Sequence, residues 1–405
     1  MSLNTKQQQA LEMVKNNQVN IITGAPGVGK TFALKAILDW ARSENISFIL
    51  AAPTGRAAKQ MATATGCESA TIHRTLEPRK TRYGFEFTRN SENLIDADML
   101  ILDETSMIST SLMASMLRAI DTKKTKIVFV GDAYQLPSIG GGAVLRDFLA
   151  SGIIPFVELT EIQRNAGELV VSCHQIKDAK YYKPSDTLDL KKGKNIRHIE
   201  CSRPESIQQI IKEIVCMRMP MRGYSQWDIQ VLSPVNRRTI LSCKDLNIML
   251  QKELNKNDQI ENYPFRVDDR VINIKNEKVA CSDGSDTFLV NGDQGEILEI
   301  DTSGKRLIVK FFDPERFAAL PMYGHNLLLS YAITVHRAQG SEYRVIVIPV
   351  HSSFGFFTTR SLLYTALSRA QDLAITIGQF SSIKKMIKQD ESIKRRTMLK
   401  QKLLA

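Results

Sequence analysis

Eight residues near the start, "GAPGVGKT" from Gly24 to Thr31, restrict what this chain can fold into more than any other stretch of it. They complete G-x-x-x-x-G-K-T between the apolar run "VNIIT" and a helical pattern, so the local order must be strand, glycine-rich loop, helix. Gly24, Ala25, Pro26, Gly27, Val28 and Gly29 form a loop whose backbone N–H groups can turn toward phosphate oxygens. Lys30 then reaches the β- and γ-phosphates of a nucleotide, and the Thr31 hydroxyl can ligate Mg²⁺. A chance glycine-rich turn would lack this flanking pattern.

From Val19 to about Glu158 the runs "VNIIT", "ISFILAA", "DMLILD", "KIVFVG" and "PFVEL" alternate with helical patterns, the signature of a parallel sheet covered by helices. A second alternation runs through "DIQVLS", "YRVIVIPV" and "LAITIG". The expected fold class is therefore α/β with two tandem domains, residues 1–160 and 161–405. Within the second, short strands with Gly and Asp turns predict a small inserted β-barrel at about 262–325. Within the first, about 77–93 is too long for an ordinary α/β connection, and Tyr83, Phe85 and Phe87 alternate at the period of a strand, which predicts a projecting β-ribbon. The basic tail from Ile383 onward reads as an amphipathic helix that caps a domain.

The 405 residues carry 54 Lys and Arg against 43 Asp and Glu, and the resulting +11 favours a polyanionic partner. Six scattered cysteines, with no C-x-x-C pair, read as reduced packing thiols rather than zinc ligands. There is neither an apolar run of about 18 residues nor an apolar signal core at the start, so a cytoplasmic protein is expected.

A phosphate-binding loop that hydrolyses also needs a carboxylate for the metal and a group that acts on water. In "LILDETSM", Asp103 ends an apolar strand where it can hold Mg²⁺, and Glu104 follows where it can deprotonate the attacking water. A further strand, "IVFVGD", delivers Asp132 and Gln135 to the same sheet edge, so Gln135 can sense the γ-phosphate or the water. Helix starts at Pro53, Thr54, Gly55 and Arg56, and again at Thr71 and His73, offer small donors suited to nucleic-acid phosphates.

Taken in order, Gln7, "GAPGVGKT", "APTGRAAKQM", "TIHRTL", "DETSM", "GDAYQLPSI", "LTEIQRN", "AITVHRAQGSEY" and "LLYTALSRA" resemble the motif set of superfamily-one helicases, and the RecD-like branch in particular. The resemblance implies two RecA-type domains using ATP and Mg²⁺, with Gln7 reading adenine. It also implies two arginines that reach the γ-phosphate, Arg164 and Arg369, with Gly340 near the nucleotide. Thr334 and His336 resemble the segment that links DNA to nucleotide, and Tyr83, Phe85 and Phe87 fall where the family carries a strand-separating protrusion.

The implied activity is an ATP-dependent DNA helicase moving 5′ to 3′ on single-stranded DNA and unwinding forked duplex in replication, recombination or repair. It would work as a monomer, with replication or recombination proteins as partners. Family members often carry extra N-terminal domains, which a chain starting just before Gln7 is expected to lack. Two readings compete with this one: an ATP-switched nucleic-acid-binding subunit without processive unwinding, and an RNA helicase. A single-domain P-loop kinase is disfavoured by the length and by Arg369.

Overall fold

Apolar runs that stay apolar on every residue need cover on both faces, and in the computed structural model they form parallel sheets flanked by helices. The structure describes residues 3–81, 84–161, 167–312, 315–390 and 397–404, with the side chains of 80, 81, 84 and 85 left out. Two compact units emerge: Met1–Ala166 with Cys173–Asp178 and Asp390–Ala405, and Gly167–Ser172 with Ala179–Gln389. The tail therefore departs from the expected boundary, because residues 390–405 count with the first unit. Leu399 and Leu403 pack against that unit's core, and the Thr397 hydroxyl donates to Asp147 at 2.8 Å.

The strands of the first unit are β1 (Val19–Gly24), β2 (Phe48–Ala52), β3 (Ala70–Thr71), β4 (Pro78–Thr81), β5 (Gly84–Phe87), β6 (Met99–Leu102), β7 (Lys126–Gly131) and β8 (Phe156–Leu159). Six of them make one parallel sheet in the order β3-β2-β6-β7-β1-β8. Parallel order puts every strand's C-terminal end on one edge, where ligands of such sheets bind. Beneath that edge Ile21, Leu100, Leu102, Ile127 and Phe129 form a core that Phe148 closes at 5.0 Å from Phe129. Helices α1 (Thr5–Asn16), α2 (Lys30–Ser43) and α3 (Gly55–Thr65) begin at residues their sequence signals mark: Asn4 caps α1, Gly29 precedes α2 and Thr54 caps α3. β4 and β5 pair with each other in antiparallel register, Pro78 opposite Phe87.

The second unit contains β9 (Ile196–Glu200), β10 (Ile229–Ser233), β11 (Arg270–Asn273), β12 (Glu277–Ala280), β13 (Asp286–Leu289), β14 (Gln294–Asp301), β15 (Arg306–Phe312), β16 (Glu315–Pro321), β17 (Leu327–Leu329), β18 (Ala332–Thr334), β19 (Tyr343–Val350) and β20 (Ala370–Gly378). A parallel sheet runs β18-β10-β19-β20-β9, so two further strands, β9 and β18, join the three that the sequence pattern marks. Between β10 and β18 an antiparallel sheet is inserted in the order β16-β15-β14-β11-β17, with β12 and β13 paired beside it. Alternate residues of β15, Leu307, Val309 and Phe311, point into its core, which is the half-buried pattern antiparallel strands allow. Among the described residues no pairing joins β16 to β17, while an isolated bridge between Cys281 and Ala318 ties the β12–β13 pair to β16.

Two adjacent buried residues seat this insert. Asp269 accepts from Gln251 (2.5 Å), Asn255 (2.8 Å), the Arg266 backbone N–H (2.7 Å) and Tyr331 (3.0 Å), yet burial still pushes its carboxyl above the ordinary value. Arg270 donates to the Ile229 carbonyl (3.1 Å) and Gln230 Oε1 (3.1 Å), and its guanidinium lies 4.7 Å from the Trp227 ring centre. Because buried charges are costly unless paired, the Arg270 bonds to β10 fix how the insert sits on the sheet.

Candidate active site

β1 ends at Gly24, where a Cβ would stand 2.8 Å from the Leu159 carbonyl oxygen, so only glycine lets the strand pass β8 into the loop. The turn into α2 is made at Gly27 and Gly29, whose φ values of 76° and 82° lie in the left-handed region. Lys30 opens α2 and folds back over the loop, donating to the Gly24 carbonyl at 2.6 Å and the Ala25 carbonyl at 3.1 Å. Its ammonium is thereby held against the backbone that the motif assigns to phosphate. Thr31 follows in the first turn of α2.

Gln7 is buried and serves two purposes. Its Oε1 accepts from the Asn4 N–H while its own N–H donates to Asn4 Oδ1, a reciprocal capping box, and its Nε2 donates to the Gly29 carbonyl at 3.3 Å. These contacts hold Gln7 at the helix start and against the Gly29 carbonyl of the glycine-rich loop. The signal for the first, Asn followed three residues later by Gln, is visible in "NTKQ".

Asp103 and Glu104 leave β6 two strands from β1, with β7 between them. The Glu104 N–H donates to Asp103 Oδ1 at 2.8 Å. Burial first, and the neighbouring Glu104 charge second, push Asp103 up to about 6, against the lowering pull of that N–H and of Lys30. Glu104 itself has φ 47° and ψ 40°, a left-handed conformation that costs a non-glycine residue ~1–2 kcal/mol. Strain of this kind concentrates at functional positions.

At the end of β7, Asp132 is buried, accepts from the Tyr134 N–H at 3.0 Å and lies 3.4 Å from Gln135 Nε2. Gln135 Oε1 has no hydrogen-bond partner among the described residues, nor do the buried hydroxyls of Thr23 at the end of β1 and Ser106 after β6. Buried polar groups are normally satisfied. Three orphans at the C-terminal ends of β1, β6 and β7 mark that edge as a place for a polar ligand. Thr23 and Ser106 carry no motif signal beyond their position, and the sequence reading missed them.

The remaining residues separate by unit. In the first, Thr54 Oγ1 accepts from the Ala57 N–H (3.2 Å) and Thr71 Oγ1 from the Arg74 N–H (3.1 Å), so both hydroxyls cap helices. Pro53, Gly55 and Arg56 surround the first cap, and burial lowers the pKa of His73 beside the second. Phe87 packs against the core with its ring centre 5.9 Å from that of His73. Phe87→Ala should accordingly lower unfolding stability by ~1–3 kcal/mol, checked by urea denaturation, whereas an unchanged midpoint would free this ring for another role. Tyr83 lies outside the described residues, as do the Phe85 side chain and Arg164.

In the second unit, Thr334 is buried at the end of β18 and its Oγ1 accepts from the Arg337 N–H at 3.3 Å. His336 is only half-buried, so it is not packed in the core, and Gly340 has φ 70°. Arg369 is buried, with its guanidinium 3.2 Å from Ser368 Oγ and 3.4 Å from the Ser341 carbonyl. Arg337, which the sequence reading passed over, is half-buried near Cys243, and desolvation lowers its pKa.

Residues 2–188 match the model of an AAA domain, and residues 329–377 that of a UvrD-like helicase C-terminal domain. The ATP-dependent RecD2 DNA helicase of Deinococcus radiodurans is 31% identical over 386 residues, covering 94% of this chain and 50% of that protein. The chain thus spans about half the length of this relative. The RecD subunit of the RecBCD enzyme of Mycolicibacterium smegmatis is 25% identical over 416 residues, covering 94% of this chain and 72% of that protein. Among solved structures, the chain resembles a Pif1 helicase at forked double-stranded DNA, with a TM-score of 0.59, 20% identity, and 97% and 96% of the two chains covered. A Bacteroides Pif1 helicase with ADP-AlF3 and single-stranded DNA gives a TM-score of 0.55 at 20% identity, with the same coverage. At such identity the structural likeness shows the fold alone, an α/β helicase fold with parallel sheets. Sequence likeness and fold point the same way: over nearly its whole length the chain is similar to RecD-type helicases, and it carries matches to an AAA domain and to a UvrD-like helicase C-terminal domain.

Proposed function

We propose that the chain is an ATP-driven motor that moves 5′ to 3′ along single-stranded DNA and unwinds forked duplex in replication, recombination or repair. The observation that carries this reading is the first unit's sheet edge, where the Lys30 loop, the Asp103–Glu104 pair and the unpartnered Gln135 Oε1 end neighbouring strands. In this reading Lys30 exchanges two carbonyls for the β- and γ-phosphate oxygens of ATP. The hydroxyl of Thr31 and the carboxylate of Asp103 suit a hard cation, and they would hold Mg²⁺, which when bound neutralises charge on those phosphates. Glu104 takes the proton of the attacking water, Gln135 orients it, and Arg164 and Arg369 stabilise the charge that spreads over the transferred phosphoryl group.

The remaining assignments follow the same reading. Gln7 recognises the adenine edge, and Gly340 lies near the nucleotide. Pro53, Thr54, Gly55, Arg56, Thr71, His73, Thr334 and His336 track the DNA backbone. The β4–β5 ribbon separates the strands through Tyr83 and Phe85, with Phe87 packed at its base, and the antiparallel insert of the second unit is a small barrel-like module.

The test is the ATPase rate with and without single-stranded DNA or RNA, followed by unwinding of duplexes carrying a 5′ or a 3′ tail. DNA-stimulated hydrolysis with unwinding of the 5′-tailed duplex supports the proposal. Stimulation without unwinding of either substrate would instead make the chain an ATP-switched clamp, and preference for the 3′ tail would reverse the polarity.

A further inference from the structure

Within the second unit, β10 and β19 run in parallel with Ile229 beside Val345 and Val231 beside Val347, so the loops leaving their C-terminal ends start as neighbours. The loops meet where Thr239 Oγ1 stands 3.4 Å from Ser353 Oγ. After β19, the segment Ser352–Phe357 buries Phe354 in the core, but Phe356 is 85% exposed and Phe357 52% exposed. Gly355 between them, at φ 60° and ψ −128°, is the turn that sends one ring inward and two outward. Scattered exposed apolar residues are ordinary; two adjacent rings on the ligand-binding edge of a parallel sheet are not.

The facing loop supplies charge. Arg237 and Arg238 are exposed, and neither has a hydrogen-bond or ion-pair partner among the described residues. Arg238 keeps φ 90°, a conformation side chains rarely adopt. Lys244, also exposed, donates its backbone N–H to the Asn236 carbonyl at 3.2 Å. Neither 235–240 nor 351–360 contains an acidic residue, and the nearby Asp245 carboxylate accepts from the Ser242 hydroxyl. On the other side of β10 lies β18, whose end carries Thr334 and His336.

We propose that Phe356 and Phe357 form a stacking platform for the bases of single-stranded DNA, with Arg237, Arg238 and Lys244 contacting the backbone alongside. The inference rests on the DNA-motor reading above and adds residues to it. Aromatic rings stack on any base through its π-face, and flanking cations hold the phosphates without reading sequence. Such contacts suit a motor that must grip every sequence.

The experiment measures binding of a short oligodeoxythymidylate by fluorescence anisotropy, without nucleotide, over a range of salt. F356A/F357A should weaken binding by on the order of tenfold for each base left unstacked. F356W/F357W should retain it, and F356L/F357L, apolar but without a π-face, should lose as much as the alanine pair. R237A/R238A should reduce the log–log salt slope by about 1.4, from about 0.7 per phosphate contact on a single strand. Both rings are largely outside the core, and an unchanged thermal midpoint confirms that each variant is folded. Wild-type affinity in the alanine or leucine pair would overturn the platform while leaving the motor reading intact. Failure of the wild-type chain to bind the oligonucleotide would overturn both.

Discussion

Replacing Lys30 by alanine is expected to reduce ATP hydrolysis by ~10²–10³-fold, the loss typical when one preorganised donor to a developing charge is removed. The structure explains why little else should change. Lys30 stands at the first position of α2, only half-buried, and its side-chain hydrogen bonds go to the carbonyls of Gly24 and Ala25 at the loop's own surface. The loop's path is set by Gly24, Gly27 and Gly29, not by the lysine. Steady-state ATPase, thermal unfolding and oligonucleotide binding without nucleotide, measured on one preparation, check this. Loss of the first with retention of the others is the expected pattern. Hydrolysis at the wild-type rate would remove the basis for placing nucleotide at this loop.

Glu104→Gln should bind ATP and hydrolyse it ~10²–10⁴-fold more slowly, because glutamine keeps the shape and the left-handed backbone position but cannot accept the proton. Single-turnover hydrolysis alongside nucleotide binding separates these effects, and unchanged turnover would move the base to another carboxylate. The same substitution has a consequence for stability in the absence of Mg²⁺. With Asp103 raised from 3.8 to about 6, the folded chain binds more protons than the unfolded chain across that interval. This group therefore makes stability fall as pH rises from about 4 to about 6, with the full cost present above it. Glu104 is the second largest cause of the shift, so removing its charge should flatten that fall. Urea denaturation in EDTA at pH 5 and pH 7.5 should show Glu104→Gln gaining relative to wild type at the higher pH. Equal differences at the two pH values would mean that burial alone raises Asp103.

Much of the candidate site was legible because it is written in short segments. A glycine-rich loop between strand and helix, two acids closing an apolar strand, and Asp132 with Gln135 after another each encode local geometry within about ten residues. Five strands of the first unit's parallel sheet could be read for the same reason, since a largely apolar run has one comfortable place, the interior of a parallel sheet. Three other strands could not. β3, β9 and β18 are defined by their neighbours rather than by any periodicity of their own.

What only the tertiary structure decided are the long-range matters. Strand order placed β7 between β1 and β6 and so put three unsatisfied polar atoms, on Thr23, Ser106 and Gln135, along one edge. Packing claimed Phe87 for the first unit's core and returned residues 390–405 to that unit, although an amphipathic pattern says only that a face will be buried, not against what. Exposure singled out Phe356 and Phe357 from Phe354 in "FGFF", three identical side chains whose fates diverge at a single glycine. The sequence by itself determined the chemistry each segment can perform, because that depends on bonds and dihedrals within the segment. Which segments share an edge, and which rings face water, depends on contacts between residues far apart in the chain, and these are set only when the sheets assemble.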